Sequence, residues 1–252
     1  GERDLYVTFL KADGTWTEPK ALGPQVNTAD AESSPFLAAD GQTLYFSSMG
    51  HPGYGNGDIF VTRRLDDTWT NWSEPINLGP VVNTDKSDTY FTIPAKGDYA
   101  YLVSRDGAVG ESDIFRLKLP PSFKPEPVAI VSGQVLDAFT QKPVAAEVMA
   151  NVLTPLRKPG EKVDYDPETG DFRLVLAVRR TYQLMAKRDG YFGGGEVIDL
   201  SRERGFVDIR QNILLSPVRA GQKMVIPAVQ FVQSKTEFLP GAEEALERIV
   251  QM

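Results

Sequence analysis

The amino-acid sequence predicts a mostly β protein built from more than one domain. Two observations carry this prediction. A set of residues recurs along the first 118 positions at a nearly constant spacing, and its members include short apolar runs typical of strands. A proline-rich segment at 119–127 is expected to be a stiff, extended linker, and after it apolar and polar residues alternate, as half-buried antiparallel strands require.

The repeat is defined by marks that keep one register. Three of them recur 56 positions later: Trp-X-Glu-Pro motifs beginning at residues 16 and 72, Leu-Gly pairs at 22 and 78, and Asn-Thr pairs at 27 and 83. A further mark, an Asp followed by two apolar residues, begins at Asp4, Asp58 and Asp113. The offsets of this mark are 54 and 55. Because independent marks recur at nearly one spacing, the repeat is a structural unit and not a chance similarity.

Each repeat is expected to consist of strands. The turn dipeptides at 40–41 and 96–97 precede the apolar runs Leu44–Phe46 and Tyr99–Val103. Such runs suit strands that are covered on both faces, and a period of about 50 residues with several strands is typical of β-propeller blades. Two repeats and a fragment are too few for a propeller of about four to eight blades, so residues 1–118 are expected to form a partial propeller with further blades preceding it.

The blade pattern also resembles a known family. Its elements are Trp-X-X-Pro, Leu-Gly, Asn-Thr, Asp-Gly-X-X-Leu-Tyr-Phe-Ser-Ser and Gly-X-Gly-X-X-Asp-Ile-Phe, all within residues 1–118. Together they resemble the TolB-like propeller repeats of bacterial envelope proteins. The resemblance implies a module that binds other envelope proteins.

Residues 128–216 are expected to form a β-sandwich. Three alternating sets predict its strands, namely Val131, Gly133 and Val135, then Phe172, Leu174 and Leu176, then Tyr182, Leu184 and Ala186. The segments 133–135, 137–143, 169–172 and 189–191 resemble the carboxypeptidase-regulatory-like family, which has a transthyretin-like sandwich fold. That resemblance implies a non-catalytic spacer or binding module.

Residues 217–252 are expected to begin an α/β domain. Val225–Phe231 is predicted to be a strand, and a helix with one apolar face is predicted from Leu239 onward. The segment 230–240 with this helix resembles the opening of OmpA-like peptidoglycan-binding domains. In that family the ligand-binding Asp and Arg lie further along, so no peptidoglycan-binding residue is assigned in this chain.

The order of the three parts resembles envelope proteins associated with type IX secretion. The resemblance implies a non-catalytic scaffold in the periplasm, associated with the outer membrane of a Gram-negative bacterium. Its expected partners are envelope proteins through the propeller and peptidoglycan through the remainder of the OmpA-like domain. Two alternatives stay open: a carbohydrate- or peptide-binding module, and an accessory region of a hydrolase.

Composition excludes several other classes of function. The net charge of −7 argues against nucleic acid as a partner, because phosphate binding requires clustered Lys and Arg. The chain has no Cys and a single His, His51, so disulfides and the common zinc sites are excluded. The sequence contains no apolar stretch long enough to cross a bilayer and does not open with a signal peptide.

No catalytic, cofactor or metal residue is predicted. His51 is expected to be a surface loop residue and not the general base of a catalytic triad. Its glycine-rich loop is followed by a strand and not by a helix, so a phosphate-binding loop is not favoured. The glycines of this loop, Gly53, Gly55 and Gly57, are expected to use positive φ. The acids surrounding Gly170, which are Asp164, Asp166, Glu168 and Asp171, are expected to form a solvated turn and not a calcium site.

One pair of acids is a candidate for function. Glu32 and Asp88 occupy equivalent positions in two repeats, 56 residues apart, so they would line one rim of a propeller channel. The alternative is that each carboxylate caps a local turn through a backbone N–H. A second open pair of interpretations concerns Tyr182, Tyr191 and Phe192, which would form either a sugar platform or part of the sandwich core.

Overall fold

The structure is a computed structural model that describes residues 3–11, 13–154, 158–162 and 169–218. Close to half of these residues lie in strands, and their single helical segment is a three-residue 3-10 helix, Pro121–Phe123. The prediction of a mostly β chain is confirmed. Two compact units divide the chain, Gly1–Val128 and Ala129–Met252. The expected strand at 225–231, the expected helix from Leu239 and the acids at 164–168 lie outside the described residues.

The first unit contains three antiparallel sheets, and none of them closes on itself within the described residues. The front sheet consists of β1 (Tyr6–Val7) and β2 (Lys20–Ala21). The middle sheet consists, in spatial order, of β3 (Glu32–Leu37), β4 (Thr43–Ser48), β5 (Asp58–Arg63) and β6 (Ile76–Asn77). The end sheet consists of β7 (Asp88–Thr92), β8 (Ala100–Ser104) and β9 (Asp113–Leu117).

The middle sheet is covered on both faces. Every residue of β4 is buried, as its apolar run predicts. On one face, Leu44 and Phe46 pack in a cluster with Leu5 of the front part of the unit. On the other face, Tyr45 packs in a second cluster with Phe91 of the end sheet. Successive side chains of a strand point to opposite faces, so one continuous apolar run supplies both clusters.

The proline-rich segment 119–127 packs against the middle sheet. Leu119 is buried in the same cluster as Tyr45. The Tyr45 hydroxyl donates a hydrogen bond to the Phe123 carbonyl oxygen, and burial raises the pKa of Tyr45 above its ordinary value, which keeps the donor protonated. Arg63 forms an ion pair with Glu126 at 3.1 Å. The segment expected to act as a linker therefore contributes to the first unit.

The second unit contains two sheets, neither closed on itself among the described residues. One has the order β13 (Asp171–Ala177), β10 (Val128–Asp137), β18 (Ile213–Pro217) and β15 (Tyr191–Phe192), with β17 (Val207–Arg210) also pairing with β10. The other has the order β12 (Lys158–Lys162), β11 (Glu147–Thr154), β14 (Thr181–Lys187) and β16 (Gly194–Asp199).

Both sheets of the second unit contribute to one apolar core. Buried and exposed residues alternate strictly along β13, and every second residue of β14 is buried, as the sequence pattern predicts. The core includes Phe172 and Leu174 of β13 and Leu184 of β14. Residues of β10 and β18 complete it. The alternation in the sequence thus identifies the inner face of β13 and of β14 correctly.

Candidate interaction site

The Asn-Thr mark of the repeat forms a polar clamp on a strand of the same repeat. Asn83 accepts a hydrogen bond from the Ile59 backbone N–H at 2.8 Å and donates to the Ile59 carbonyl oxygen at 2.9 Å. Asn27 makes the same two bonds with Leu5, at 2.8 and 3.0 Å. In each case one Asn side chain satisfies the backbone donor and acceptor of one residue, Ile59 within β5 and Leu5 directly before β1, as a neighbouring strand would do.

The Leu-Gly mark positions each clamp. The backbone N–H of Leu78 donates to the Ile59 carbonyl oxygen at 3.1 Å, and Leu22 donates to Leu5 at the same distance. Gly79 has a φ of +74°, a conformation that suits glycine, and its carbonyl oxygen accepts the N–H groups of Val82 and Asn83. The resulting turn brings the Asn amide back to the strand. Sequence comparison identified these marks, but not the contact that they make.

The two acids predicted to line a rim are buried. Glu32 is 1% exposed and accepts hydrogen bonds from the backbone N–H and the hydroxyl of Thr28, both at 2.8 Å. Asp88 is fully buried and accepts the equivalent bonds from Thr84 at 2.7 and 3.0 Å. Each carboxylate therefore fixes the turn before its own strand. A ring of such acids about a channel stays a prediction.

The carboxylates differ in their remaining contacts. Glu32 also accepts a hydrogen bond from the Ser48 hydroxyl at 2.7 Å, across the β3–β4 pair. Asp88 lies opposite Ser104 in the equivalent β7–β8 pair. Its Oδ1 atom is buried and has no hydrogen-bond partner among the residues that the structure describes. Because Asp is one methylene shorter than Glu, the same backbone position leaves this oxygen short of the serine.

The glycine-rich loop at 51–57 wraps a third carboxylate. Asp58 accepts hydrogen bonds from the backbone N–H groups of Tyr54 and Gly55. A Cβ atom at Gly53 would lie 1.9 Å from Asp58 Oδ2, and one at Gly55 would lie 2.0 Å from the Lys86 carbonyl oxygen. The expectation of positive φ at these glycines is wrong. Close approach of other atoms, and not backbone handedness, excludes a side chain from Gly53 and Gly55.

His51 packs against the apolar cluster that lies between the front and middle sheets. Its ring centroid lies 5.8 Å from that of Phe46 and 5.2 Å from that of Phe60. Its Nε2 atom lies 3.1 Å from the Val26 carbonyl oxygen. These contacts give the histidine a structural role in its loop.

Equivalent residues differ sharply in exposure between the middle sheet and the ends of the unit. Ile59 in β5 is fully buried, whereas Ile114, at the same place in β9, is 76% exposed. At the other end, Trp16 is 60% exposed, whereas its counterpart Trp72 is 3% exposed. The sequence marks are the same, so the difference comes from what covers each position. Both ends of the repeat array present apolar side chains to solvent.

In the second unit, the three aromatic residues considered as a sugar platform occupy different environments. Tyr182 is buried, and its hydroxyl donates to the Ala177 carbonyl oxygen at 2.9 Å. Tyr191 is partly buried against the core, and its hydroxyl lies 3.2 Å from Asp137 Oδ2. Phe192 is also partly buried. Tyr182 is thus part of the core.

Asp137 organises the turn after β10. The backbone N–H groups of Thr140 and Phe139 each donate to its Oδ1 at 2.8 Å. The pKa of the Asp137 carboxyl lies below its ordinary value. The largest cause is the hydrogen bond from the Thr140 backbone N–H, and the bonds from Phe139 and from the Tyr191 hydroxyl act in the same direction, while burial opposes the shift. Among the acids near Gly170, Asp171 accepts a hydrogen bond from the Thr169 hydroxyl at 2.8 Å, which is a local turn contact.

A pocket of 210 Å³ opens beside Tyr191. Its apolar lining includes Met149 and Met185, which lie side by side on β11 and β14. Arg188 supplies a cation on its rim, with its guanidinium 5.8 Å from the centre of the Tyr191 ring. The rest of the lining is supplied by Gln183, Ala186, Lys187, Asp189, Gly190 and Gly193–Gly195. No contiguous motif in the sequence marks this pocket, because its residues come from separate strands.

The described residues also bear on metal binding and on membrane insertion. In this part of the chain, no group of three or more His, Asp or Glu side chains is placed to hold a metal ion. No helix among the same residues has the length and apolar character needed to cross a membrane.

Comparison with known proteins gives only distant similarity. No family model matches the chain, and no curated protein matches it. The solved structures that resemble it include TolB from Acinetobacter baumannii, with 14% identity, a TM-score of 0.31, and coverage of 86% of this chain and 53% of that one. A C-terminal fragment of the pilus adhesin SpaC from Lactobacillus rhamnosus GG has 13% identity, a TM-score of 0.26, and coverage of 81% and 84%.

A third similar structure is the pilus 2b backbone protein of group B streptococcus, with 9% identity, a TM-score of 0.28, and coverage of 73% of this chain and 84% of that one. All three are β-rich proteins. TM-scores of this size carry no conclusion about the fold or function of this chain.

Proposed function

We propose that residues 1–118 are part of a β-propeller and that residues 128–216 are a carboxypeptidase-regulatory-like sandwich. The first proposal is supported by the stacking of the sheets of the repeat through two separate apolar clusters. The second is supported by the single core to which both sheets of the second unit contribute. Residues 217–252 are the start of an OmpA-like domain in this proposal.

The function that fits this organisation is a non-catalytic periplasmic scaffold. It links an outer-membrane assembly, of the type IX secretion type, to peptidoglycan. The propeller is the module that binds other envelope proteins. The observation that carries the proposal is the use of polar side chains in the repeat: Glu32, Asp88, Asn27 and Asn83 all bond within the repeats, so they serve the framework.

The experiment compares the full gene product with a version that ends at Pro217. Both are incubated with purified peptidoglycan and sedimented. Retention of the full product and loss of retention in the shortened version are expected, because the OmpA-like part would hold the wall. Equal retention of the two proteins would contradict this assignment. Fractionation of cells expressing the tagged full product checks the expected location at the outer membrane.

The pocket in the second unit favours a second candidate function, the binding of a carbohydrate or a peptide. Its two methionines and Tyr191 offer an apolar wall, and Arg188 offers a cation for an acidic group. A glycan array and an array of short acidic peptides test this candidate. An Arg188→Ala variant is expected to lose any binding at the pocket. An Arg202→Ala variant, changed at an exposed arginine that does not line the pocket, is the matched control.

A further inference from the structure

The strand β9 forms an open edge, and its counterpart in the middle sheet does not. β9 pairs with β8 on one side, and it is the last strand of the end sheet. Its counterpart β5 pairs with β4 on one side and with β6 on the other. The register of the two pairs is the same, because Ile59 lies opposite Ser47 and Ile114 lies opposite Val103, the residue equivalent to Ser47 in the next repeat.

The equivalent register fixes the direction of the Ile114 backbone groups. In β5, the N–H and C=O of Ile59 point away from β4, since they bond to Asn83 and Leu78 instead. The same groups of Ile114 therefore point away from β8. No residue that the structure describes bonds to this outer side of β9. An edge with free donors and acceptors is a template for another strand.

The side chains beside this edge are also uncovered. Leu78 and Val82 pack in the same cluster as Ile59, which is fully buried. Ile114 has no such cover and is 76% exposed. Asp58 receives a hydrogen bond from the Asn77 amide at 2.9 Å in addition to its own loop N–H groups. Its counterpart Asp113 receives the loop N–H of Val109 at 2.7 Å. The Asp113 carboxylate, the β9 edge and the Ile114 side chain could therefore all be contacted by one type of segment, the type that contacts Asp58 and Ile59.

We propose that the β9 edge is a docking site for a strand segment with the pattern Leu-Gly-X-X-X-Asn-Thr, whose Asn clamps the backbone of Ile114. The segment's Leu covers the Ile114 side chain, as Leu78 covers Ile59. This deepens the proposed interaction role of the repeat by naming its surface and the chemistry of the partner. The inference rests on the proposed function of the repeat as a protein-binding module, and it does not depend on the proposed link to peptidoglycan.

The test uses the full chain and a synthetic peptide with the sequence of residues 74–86, which contains the clamp. The matched control is the same peptide carrying Asn83→Ala. Fluorescence polarisation of each labelled peptide measures its affinity as the protein is added up to about 1 mM. Hydrogen exchange measures the protection of the Ile114 amide directly. We expect the first peptide to bind and to protect that amide. The second peptide is expected to bind at least about tenfold more weakly, because it lacks both clamp bonds.

A variant of the protein isolates the edge itself. Ile114→Pro removes the outward N–H, and proline is tolerated where an edge strand faces solvent. Peptide binding is expected to be lost while the far-UV circular dichroism and melting temperature are retained. If this variant unfolds, the comparison of the two peptides on the unchanged chain still decides the proposal.

Several outcomes overturn the proposal. Equal affinity of the two peptides would make β9 an unselective edge. No binding up to the highest concentration would show that the site is not a docking edge for this segment. An Ile114 amide already protected in a dimer without peptide would assign the edge to a second copy of the chain. The peptidoglycan sedimentation experiment is unaffected by any of these results, so failure of one idea is distinguishable from failure of the other.

Discussion

The two units of the chain bury their apolar residues in different ways. In the first unit, the sheets stack in series, and the middle sheet has one apolar cluster on each face. In the second unit, two sheets enclose one core, to which seventeen buried residues of the described part of the chain contribute. A stack has two end faces that need further cover, whereas a core between two sheets is complete. The exposed Ile114 and Trp16 of the first unit are the consequence of stacking.

The two units also use polar groups differently. Asn27 and Asn83 satisfy strand backbone groups in the first unit, and Glu32, Asp58 and Asp88 fix its turns. The second unit depends more on strand alternation, with polar bonds at turns such as that of Asp137. Substitutions that lower the free energy of unfolding are therefore expected to remove apolar packing in the second unit and either packing or polar bonds in the first. Within the repeat, equivalent positions are expected to differ in how much a substitution lowers the free energy of unfolding.

The largest effect is expected from truncation in the closed core. Leu184→Ala removes a fully buried side chain and leaves a cavity, so the free energy of unfolding should fall by about 3–4 kcal/mol. The neighbouring strand offers a control, since Val197 is 60% exposed and Val197→Ala should cost about 0.5 kcal/mol or less. Urea denaturation of both variants measures the difference. Similar losses in the two variants would contradict a single closed core.

A slightly smaller effect is expected within the repeat. Ile59→Ala should lower the free energy of unfolding by about 3 kcal/mol, because the side chain is fully buried between two sheets. Ile114→Ala changes the same repeat position but should have an effect within about 0.5 kcal/mol, because its side chain lies in solvent. Denaturant titration followed by tryptophan fluorescence compares them. A large loss in the Ile114 variant would show that this face is already covered.

The clamps should contribute less than the apolar clusters. Asn83→Ala leaves the buried Ile59 N–H without a partner, so a loss of about 2 kcal/mol in unfolding free energy is expected. Asn27→Ala should cost about 1 kcal/mol, because Asn27 is only partly buried and water can replace its bonds. The same denaturant titration serves for both. Equal losses would mean that exposure does not set the cost of removing a clamp.

The smallest effect concerns the pH dependence of the second unit. The pKa of Asp137 is lowered in the folded state, so its carboxylate stabilises the fold above about pH 4, the ordinary value, and this contribution is lost as pH falls through the lowered value. An Asp137→Asn variant should therefore lose less stability between neutral and acidic pH than the unchanged chain.

A second substitution measures the pKa of Asp137 directly. Tyr191→Phe removes one donor to the carboxylate, so the pKa of Asp137 should rise towards its ordinary value in an NMR titration of the carboxyl carbon. Tyr182→Phe is the control, since the Tyr182 hydroxyl donates to the Ala177 carbonyl oxygen. A rise of the Asp137 pKa in the control variant would mean that the shift does not depend on the Tyr191 hydroxyl.

The sequence by itself determined the mostly β class, the register of the repeat and the inner face of strands such as β13 and β14. These features depend on the period of the backbone and on turn residues such as Gly41 and Gly97, which act over a few residues. Only the tertiary structure decided that Asn83 clamps Ile59, that the glycines of the His51 loop make room for Asp58 and Lys86, and that a pocket forms beside Tyr191.

The contrast between Ile59 and Ile114 gives the physical reason. Both isoleucines follow an Asp and precede a Phe, so local sequence cannot tell them apart. Their burial depends on which segment lies across the strand edge and the sheet face, and that segment is 19–24 residues away for Ile59. Contacts at such separation depend on the packing of whole sheets. The Asp-Ile-Phe motif alone therefore does not indicate whether a covering segment lies beside it.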